Sequence, residues 1–334
     1  MEAIRSTLTV TLMLAVAVPL SAAEAEVVLE GLDNPWGVAV QPGTDHVFVS
    51  ESGAGRVVRV RQDRIHEVIV GFPTGAMQLD PAYQVGPLGL AFLNENTLLV
   101  GEGGLAGGKD QVRVFQVPAE DADPLEADQA KAGWVLAPAE DAVGEGDFCG
   151  LAVSRYFVFA ISRGDATQGW VSRARFQNER VSQLERFVAT RTVTGVGAPS
   201  AITTSPRGEM VVGQMGDTAT PGDSVLAFYN ATNGQLLLHL AIGLHDISAL
   251  AYSPKDQLYA TDLAWQADGA GGLYQIVAAL VDGRQVAQAK KIVSLDRPTA
   301  IAFAKDGSLY VTAMGMAGAG GDRKSGRLLK ISLE

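Results

Sequence analysis

Glu51, Glu102, Arg163, Gln214, Asp262 and Ala313 recur at intervals of 51, 61, 51, 48 and 51 residues, each just after a short apolar run. A second series, Asn34, Gly86, Asp147, Ala198, Asp246 and Arg297, keeps nearly the same spacing, and His245 adjoins Asp246. If both series share one rim, they make a polar, mostly acidic cup. Glu51, Glu102, Asp246 and Asp262 would offer hard oxygen ligands of the kind calcium prefers. His245, Asp246 and Asp262 could supply a general base, and Arg163 and Arg297 would offset the acids. The same side chains have a plainer use, which is to bond neighbouring backbone amides at strand ends. From residue types alone both uses stay open.

The spacing belongs to a repeat. Gly37-Val38-Ala39-Val40, Gly89-Leu90-Ala91-Phe92, Gly150-Leu151-Ala152-Val153, Ala201-Ile202-Thr203, Ala249-Leu250-Ala251-Tyr252 and Ala300-Ile301-Ala302-Phe303 each precede a second apolar run. Turn formers such as Gln41-Pro42-Gly43, Ser205-Pro206-Arg207-Gly208 and Lys305-Asp306-Gly307 separate the two runs. A third strand and an outer strand follow in each unit. A period of about 50 residues with several short strands is the signature of a β-propeller. Six units predict an all-β, six-bladed β-propeller of four-stranded blades. The last unit lacks an outer strand, and residues 26–32 can supply it, closing the ring and removing both sheet edges. If inner strands run away from one mouth and second strands return to it, the two polar series do share a rim. Trp36, Tyr83, Trp265 and Met314 are expected near that mouth. The acidic stretch 118–147 reads as an insertion in an outer connection, solvated and mobile.

Arg5, the apolar run Leu8–Leu20 and the small residues Ser21-Ala22-Ala23 read as a secretory signal over 1–23, leaving a propeller over 24–334. The protein is expected to be secreted or periplasmic, a monomer, and without a transmembrane segment once the signal is cleaved. Cys149 is the single cysteine, so no internal disulfide forms, and its neighbours suggest a small buried hydrophobe. A formal net charge of -11 argues against nucleic acid and for cations or cationic ligands.

Val47-Phe48-Val49-Ser50-Glu51-Ser52-Gly53 followed by Arg56-Val57-Val58-Arg59-Val60 resembles the NHL repeat unit. At this level the chain resembles the six-bladed NHL-repeat and gluconolactonase-like (SMP-30, TolB-like) propellers. LDNPWGVAV at Leu32–Val40 also resembles the opening of soluble quinoprotein sugar dehydrogenases. The first resemblance implies lactonase chemistry at a metal held by Glu, Asn and Asp at the starts of the inner strands. Here Trp36, Leu88, Cys149, Ser200, Ser248 and Thr299 stand there, none of them a carboxylate. The second implies a His beside the quinone, and His46, His66, His239 and His245 have no matching context. No catalytic residue is carried over. The leading expectation is a binding or interaction module taking a small-molecule or protein ligand at the channel rim. A metal-assisted hydrolase of lactone or ester type, using a divalent cation such as calcium, is the alternative. A quinoprotein-like sugar dehydrogenase is third.

Overall fold

The apolar pairs of the repeat become the inner and second strands of six antiparallel sheets in a computed structural model, which describes residues 23–61, 64–105, 108–138, 144–162, 169–177, 180–267, 269–281, 284–316 and 324–333. The six sheets form a six-bladed β-propeller. The predicted signal lies almost wholly outside the described residues.

Blade one runs outward through Pro35–Val40, Val47–Glu51, Arg56–Arg61 and Arg64–Val70. Blade four repeats this with Pro199–Thr204, Met210–Gln214, Val225–Tyr229 and Leu236–Ala241. Blade six is completed by the N-terminal strand: Ala25–Leu32 pairs antiparallel with Gly326–Ile331. The chain thus closes its own ring. Between inner and second strands the turns are tight. Gly208, Asp256 and Gly307 occupy equivalent left-handed positions (φ 82°, 61° and 89°), where Gly and Asp cost least.

At the axis, inner strands crowd. A Cβ on Gly37 would run into the Leu88 carbonyl oxygen of the next blade. Buried hydroxyls tie neighbouring blades at this radius. Ser50 Oγ donates to Leu88 O (2.6 Å) while accepting Gly37 N–H (2.7 Å). Ser248 Oγ donates to Pro298 O (2.7 Å), and Thr299 Oγ1 to Pro35 O (3.0 Å), the latter across the ring closure. Each such bond contributes about 1 kcal/mol net. Ser248 and Thr299, which stand where the lactonase-like propellers would carry carboxylates, are therefore seams between blades.

The stretch 118–147 is more than a solvated connection. Leu125–Glu126 adds a parallel fifth strand beside Ile69–Val70 of blade one, and Ala132–Trp134 is the fourth strand of blade two. Asp121, Asp123 and Asp128 face water, whereas Ala127 and Leu136 are buried. Between those two strands lies a three-residue 3-10 turn, Ala127–Gln129. Glu120 receives Arg61 Nη1 in an ion pair and holds the segment against blade one.

Candidate binding site at the channel mouth

Lead-in and exit of the first strand pair meet at one rim. The N–H groups of Ser52, Gly103, Met215, Leu263 and Met314 bond the carbonyls of Asn34, Gly86, Ala198, Asp246 and Arg297 at 2.8–3.1 Å. Asn34, Asp147, Ala198 and Arg297 have φ of 46°, 51°, 51° and 49°. This left-handed turn aims the chain into the inner strand, and it accounts for the Asn and Asp found there.

The first polar series has a different job from the expected one. Glu51 Oε1 accepts Asp33 N–H (2.9 Å), and its Oε2 takes Arg56 Nε (2.7 Å). Glu102 Oε2 accepts Gln111 N–H (3.0 Å), and Oε1 pairs with Arg113 Nε (2.6 Å). Burial pushes the Glu102 carboxyl above its ordinary range, against the pull of Arg113. Gln214 Nε2 donates to Val196 O. Asp262 is the fullest case: Oδ2 accepts His245 N–H (3.0 Å), and Oδ1 accepts Asp246 N–H (2.8 Å) and Ala264 N–H (3.1 Å). All four residues are buried. They latch the loops at their own blade's edge and do not converge. In blade three the register puts Ser162, not Arg163, at this position; Arg163 lies outside the described residues. Ser162 Oγ donates to Glu145 Oε2 (2.5 Å).

The expected divalent-cation set of Glu51, Glu102, Asp246 and Asp262 therefore does not fit a metal. Its oxygens are largely committed to backbone N–H groups and arginines, and the described residues contain no group of three or more His, Cys, Asp or Glu arranged to hold an ion. Glu51, Glu102 and Asp262 each act as a latch within their own blade.

What surrounds the mouth is apolar. Trp36, Leu88 and Cys149 come from the lead-in positions, and Met215, Leu263 and Met314 from the residues just after the second strands. A hairpin-like connection between blades one and two, with Gly75–Ala76 paired to Gln84–Val85, drops Met77 and Tyr83 into this ring. Both are buried, so the connection is a plug. Below it a cavity of about 70 Å³ runs among all six inner strands.

The second polar series holds the plug and the rim. Asn34 Nδ2 donates to Gln84 O (2.7 Å). Arg297 stacks its guanidinium on Trp265 at 4.2 Å and reaches Tyr83 Oη at 3.4 Å. Trp265 and Tyr83 meet edge to face, with ring centroids 6.3 Å apart. Asp246 Oδ2 accepts Trp265 N–H (2.6 Å). Its Oδ1 has no hydrogen-bond partner among the described residues. Burial, reinforced by Asp262, pushes its carboxyl up to about 6. Asp147 Oδ1 accepts Gly104 N–H (3.1 Å) beside the plug. His245 contributes its backbone, N–H to Asp262 and carbonyl to Ser224 Oγ.

On the plug's flank lies a cleft of about 480 Å³. Gln78 and Leu79 of the plug form one wall, Met215 and Val196 an apolar floor, and Asp217, Asp223 and Arg191 the polar edge. Asp223 Oδ2 accepts Asp217 N–H (2.9 Å), while Oδ1 has no hydrogen-bond partner among the described residues. Residue counting missed both cleft and plug. One signal was present: the blade one to blade two connection has sixteen residues (71–86), against three (295–297) before blade six.

Neither a protein-family model nor a curated protein matches this chain by sequence. Solved structures match it in fold. A soluble aldose sugar dehydrogenase from Escherichia coli is 14% identical over 93% of this chain and 100% of its own, with a TM-score of 0.59. A gluconolactonase from Xanthomonas campestris is 14% identical over 94% and 91%, TM-score 0.57. A calcium-binding protein, regucalcin, from Agrobacterium tumefaciens is 13% identical over 93% and 94%, TM-score 0.55. At such identities the likeness shows the shared six-bladed fold.

Proposed function

We propose that the protein is a binding module and that its ligand sits in the cleft between the plug and blade four. The observation that carries this is the division of labour among the polar residues. The carboxylates that would build a hydrolytic centre are spent on latches, while a cleft of about 480 Å³ stays open beside them. That volume suits a small organic ligand. An apolar floor with two carboxylates, Asp217 and Asp223, against the one guanidinium of Arg191 at its edge suits a molecule with an apolar body and a cationic amine or guanidinium, and the net charge of -11 would steer it there.

Export to the periplasm or beyond belongs to the same proposal, resting on Arg5, Leu8–Leu20 and the small residues that follow. No helix among the described residues is long and apolar enough to cross a membrane. N-terminal sequencing of the mature protein tests export; a retained Met1 would refute it.

The binding test is calorimetry with agmatine and with butylamine as a smaller cation, against butanol as the neutral control. Binding of the cations and not the alcohol, weakened at least tenfold in Asp217→Asn, is expected. Equal binding of the neutral control, or an unaffected variant, would refute the cleft reading.

A further inference from the structure

Asp246 leaves one carboxylate oxygen unused. The residue is 1% exposed. Its Oδ2 accepts Trp265 N–H at 2.6 Å, and Oδ1 has no hydrogen-bond partner among the described residues. Asp262, beside it, uses both oxygens for its latch. A buried carboxylate with an unbonded oxygen is costly to keep ionised. Burial accordingly pushes the Asp246 carboxyl up to about 6. A group held there answers to any change in the charge around it.

Ser224 fastens Asp246 to the cleft. Its Oγ lies 3.0 Å from His245 O and 3.1 Å from Met215 O, and accepts Ile247 N–H at 3.1 Å. It thus grips the residues on either side of Asp246 together with the Met215 floor of the cleft. Asp223, one residue back along the chain, stands at the cleft's edge. Its carboxylate lies against Gly216, where a Cβ would come within 2.4 Å of both oxygens. The Asp223 charge reaches Asp246 and opposes its ionisation. Asp262 acts in the same direction, and the His245 imidazole acts against both. Arg297 of blade six faces the Trp265 ring, and Arg191 lines the cleft.

We propose that Asp246 couples the cleft to pH: a cation seated at Asp223 favours the ionised form of Asp246, so binding expels the Asp246 proton to solvent. This coupling rests on the cation-binding reading of the cleft. A cation at Asp223 cancels the charge that opposes Asp246 and adds an attraction of its own. By linkage, cation affinity must then rise as pH rises through the same range. Charges about 10 Å apart with protein between them interact strongly enough for about a tenfold preference for the ionised form. Such a preference corresponds to about 0.4 proton released near pH 6, and to roughly threefold tighter binding at pH 7.5 than at pH 5.5.

Calorimetry with agmatine at pH 6, in succinate and in MES, counts the proton, because the two buffers differ in ionisation heat. Agmatine itself stays fully charged over this range. Release of about 0.4 proton is expected in wild type. His245→Gln removes the neighbouring imidazole's own proton from the count, and the release should persist. Asp246→Asn should bind agmatine with no release and with an affinity that no longer rises from pH 5.5 to pH 7.5. Should Asp246→Asn fail to fold, the count in His245→Gln decides alone. Binding without proton release in His245→Gln, or undiminished release in folded Asp246→Asn, would overturn the coupling and leave the cleft reading intact. No binding of agmatine at any pH would refute the cleft reading, and the coupling with it.

Discussion

The Asp262 carboxylate accepts the Asp246 backbone N–H at 2.8 Å, while the Asp246 carboxylate accepts Trp265 N–H at 2.6 Å. Two aspartates in one blade thus do unlike work. Asp262 fastens the lead-in of its blade, and Asp246 fastens the loop that carries Trp265 over the mouth.

Removing the first of these should show as stability. Asp262→Ala leaves the N–H groups of His245, Asp246 and Ala264 without their acceptor. A loss of about 1–3 kcal/mol is expected from stranded buried donors. Urea unfolding should show a lower midpoint at an unchanged slope. Asp262→Asn, which keeps an acceptor oxygen, should cost less than Asp262→Ala.

The Asp246 carboxyl gives a pH signature. It titrates near 6 in the folded chain against 3.8 for an ordinary aspartate. Between those values the folded state holds a proton that the unfolded state has released. Its stabilising contribution is therefore full below 3.8 and is lost as pH rises through 6. The most it can amount to is roughly 3 kcal/mol, at 1.36 kcal/mol per pH unit. Asp110, also pushed up to about 6 by burial, acts with the same sign. Thermal melts from pH 4 to pH 7 should show a shallower decline in Asp246→Asn than in wild type; an identical decline would sink this assignment.

Much of this was legible in the sequence and part was not, for one local reason. The inner strands, their turns and the closing N-terminal strand follow from apolar runs and turn residues, which the structure keeps in place. The facing of Glu51, Glu102 and Asp262 was not legible. Irregularities in register between Pro35 and Val38, Pro87 and Leu90, and Ile247 and Ala249 intervene between the anchors and the rim. A shift of one residue moves a side chain to the other face. In blade three the turn between inner and second strands is one residue shorter, so Gly150 pairs with Ile161 where Ala201 pairs with Gly213, and counting reached Arg163 where Ser162 ends the strand. Trp36, Tyr83, Trp265 and Met314 were expected near the mouth, and all four pack there, Trp265 only partly buried.

Calcium distinguishes latches from ligands. With Glu51 paired to Arg56 and Glu102 to Arg113, adding millimolar calcium or a chelator should leave the thermal midpoint unmoved. Glu102→Gln with Asp262→Asn should lower stability equally in both. A calcium-dependent rise of several degrees in wild type, abolished in the double variant, would restore the metal reading.

The plug makes the last prediction. Tyr83 is buried among the mouth residues, edge to face with Trp265, and its Oη lies 3.4 Å from Arg297 Nη1. Tyr83→Ala should cost about 3–5 kcal/mol, since a large buried ring leaves a cavity that the rigid inner strands cannot fill. Tyr83→Phe should lose only the hydroxyl bonds to Gly315 and Arg297, about 1 kcal/mol. Arg297→Ala should cost about 0.5–2 kcal/mol through the lost stacking on Trp265. It should also redden tryptophan fluorescence as water reaches that ring. Because the plug's Gln78 and Leu79 wall the cleft, Tyr83→Ala should weaken cation binding there while Tyr83→Phe leaves it intact. Equal binding in both variants would separate the plug from the ligand site and show that it serves the ring alone.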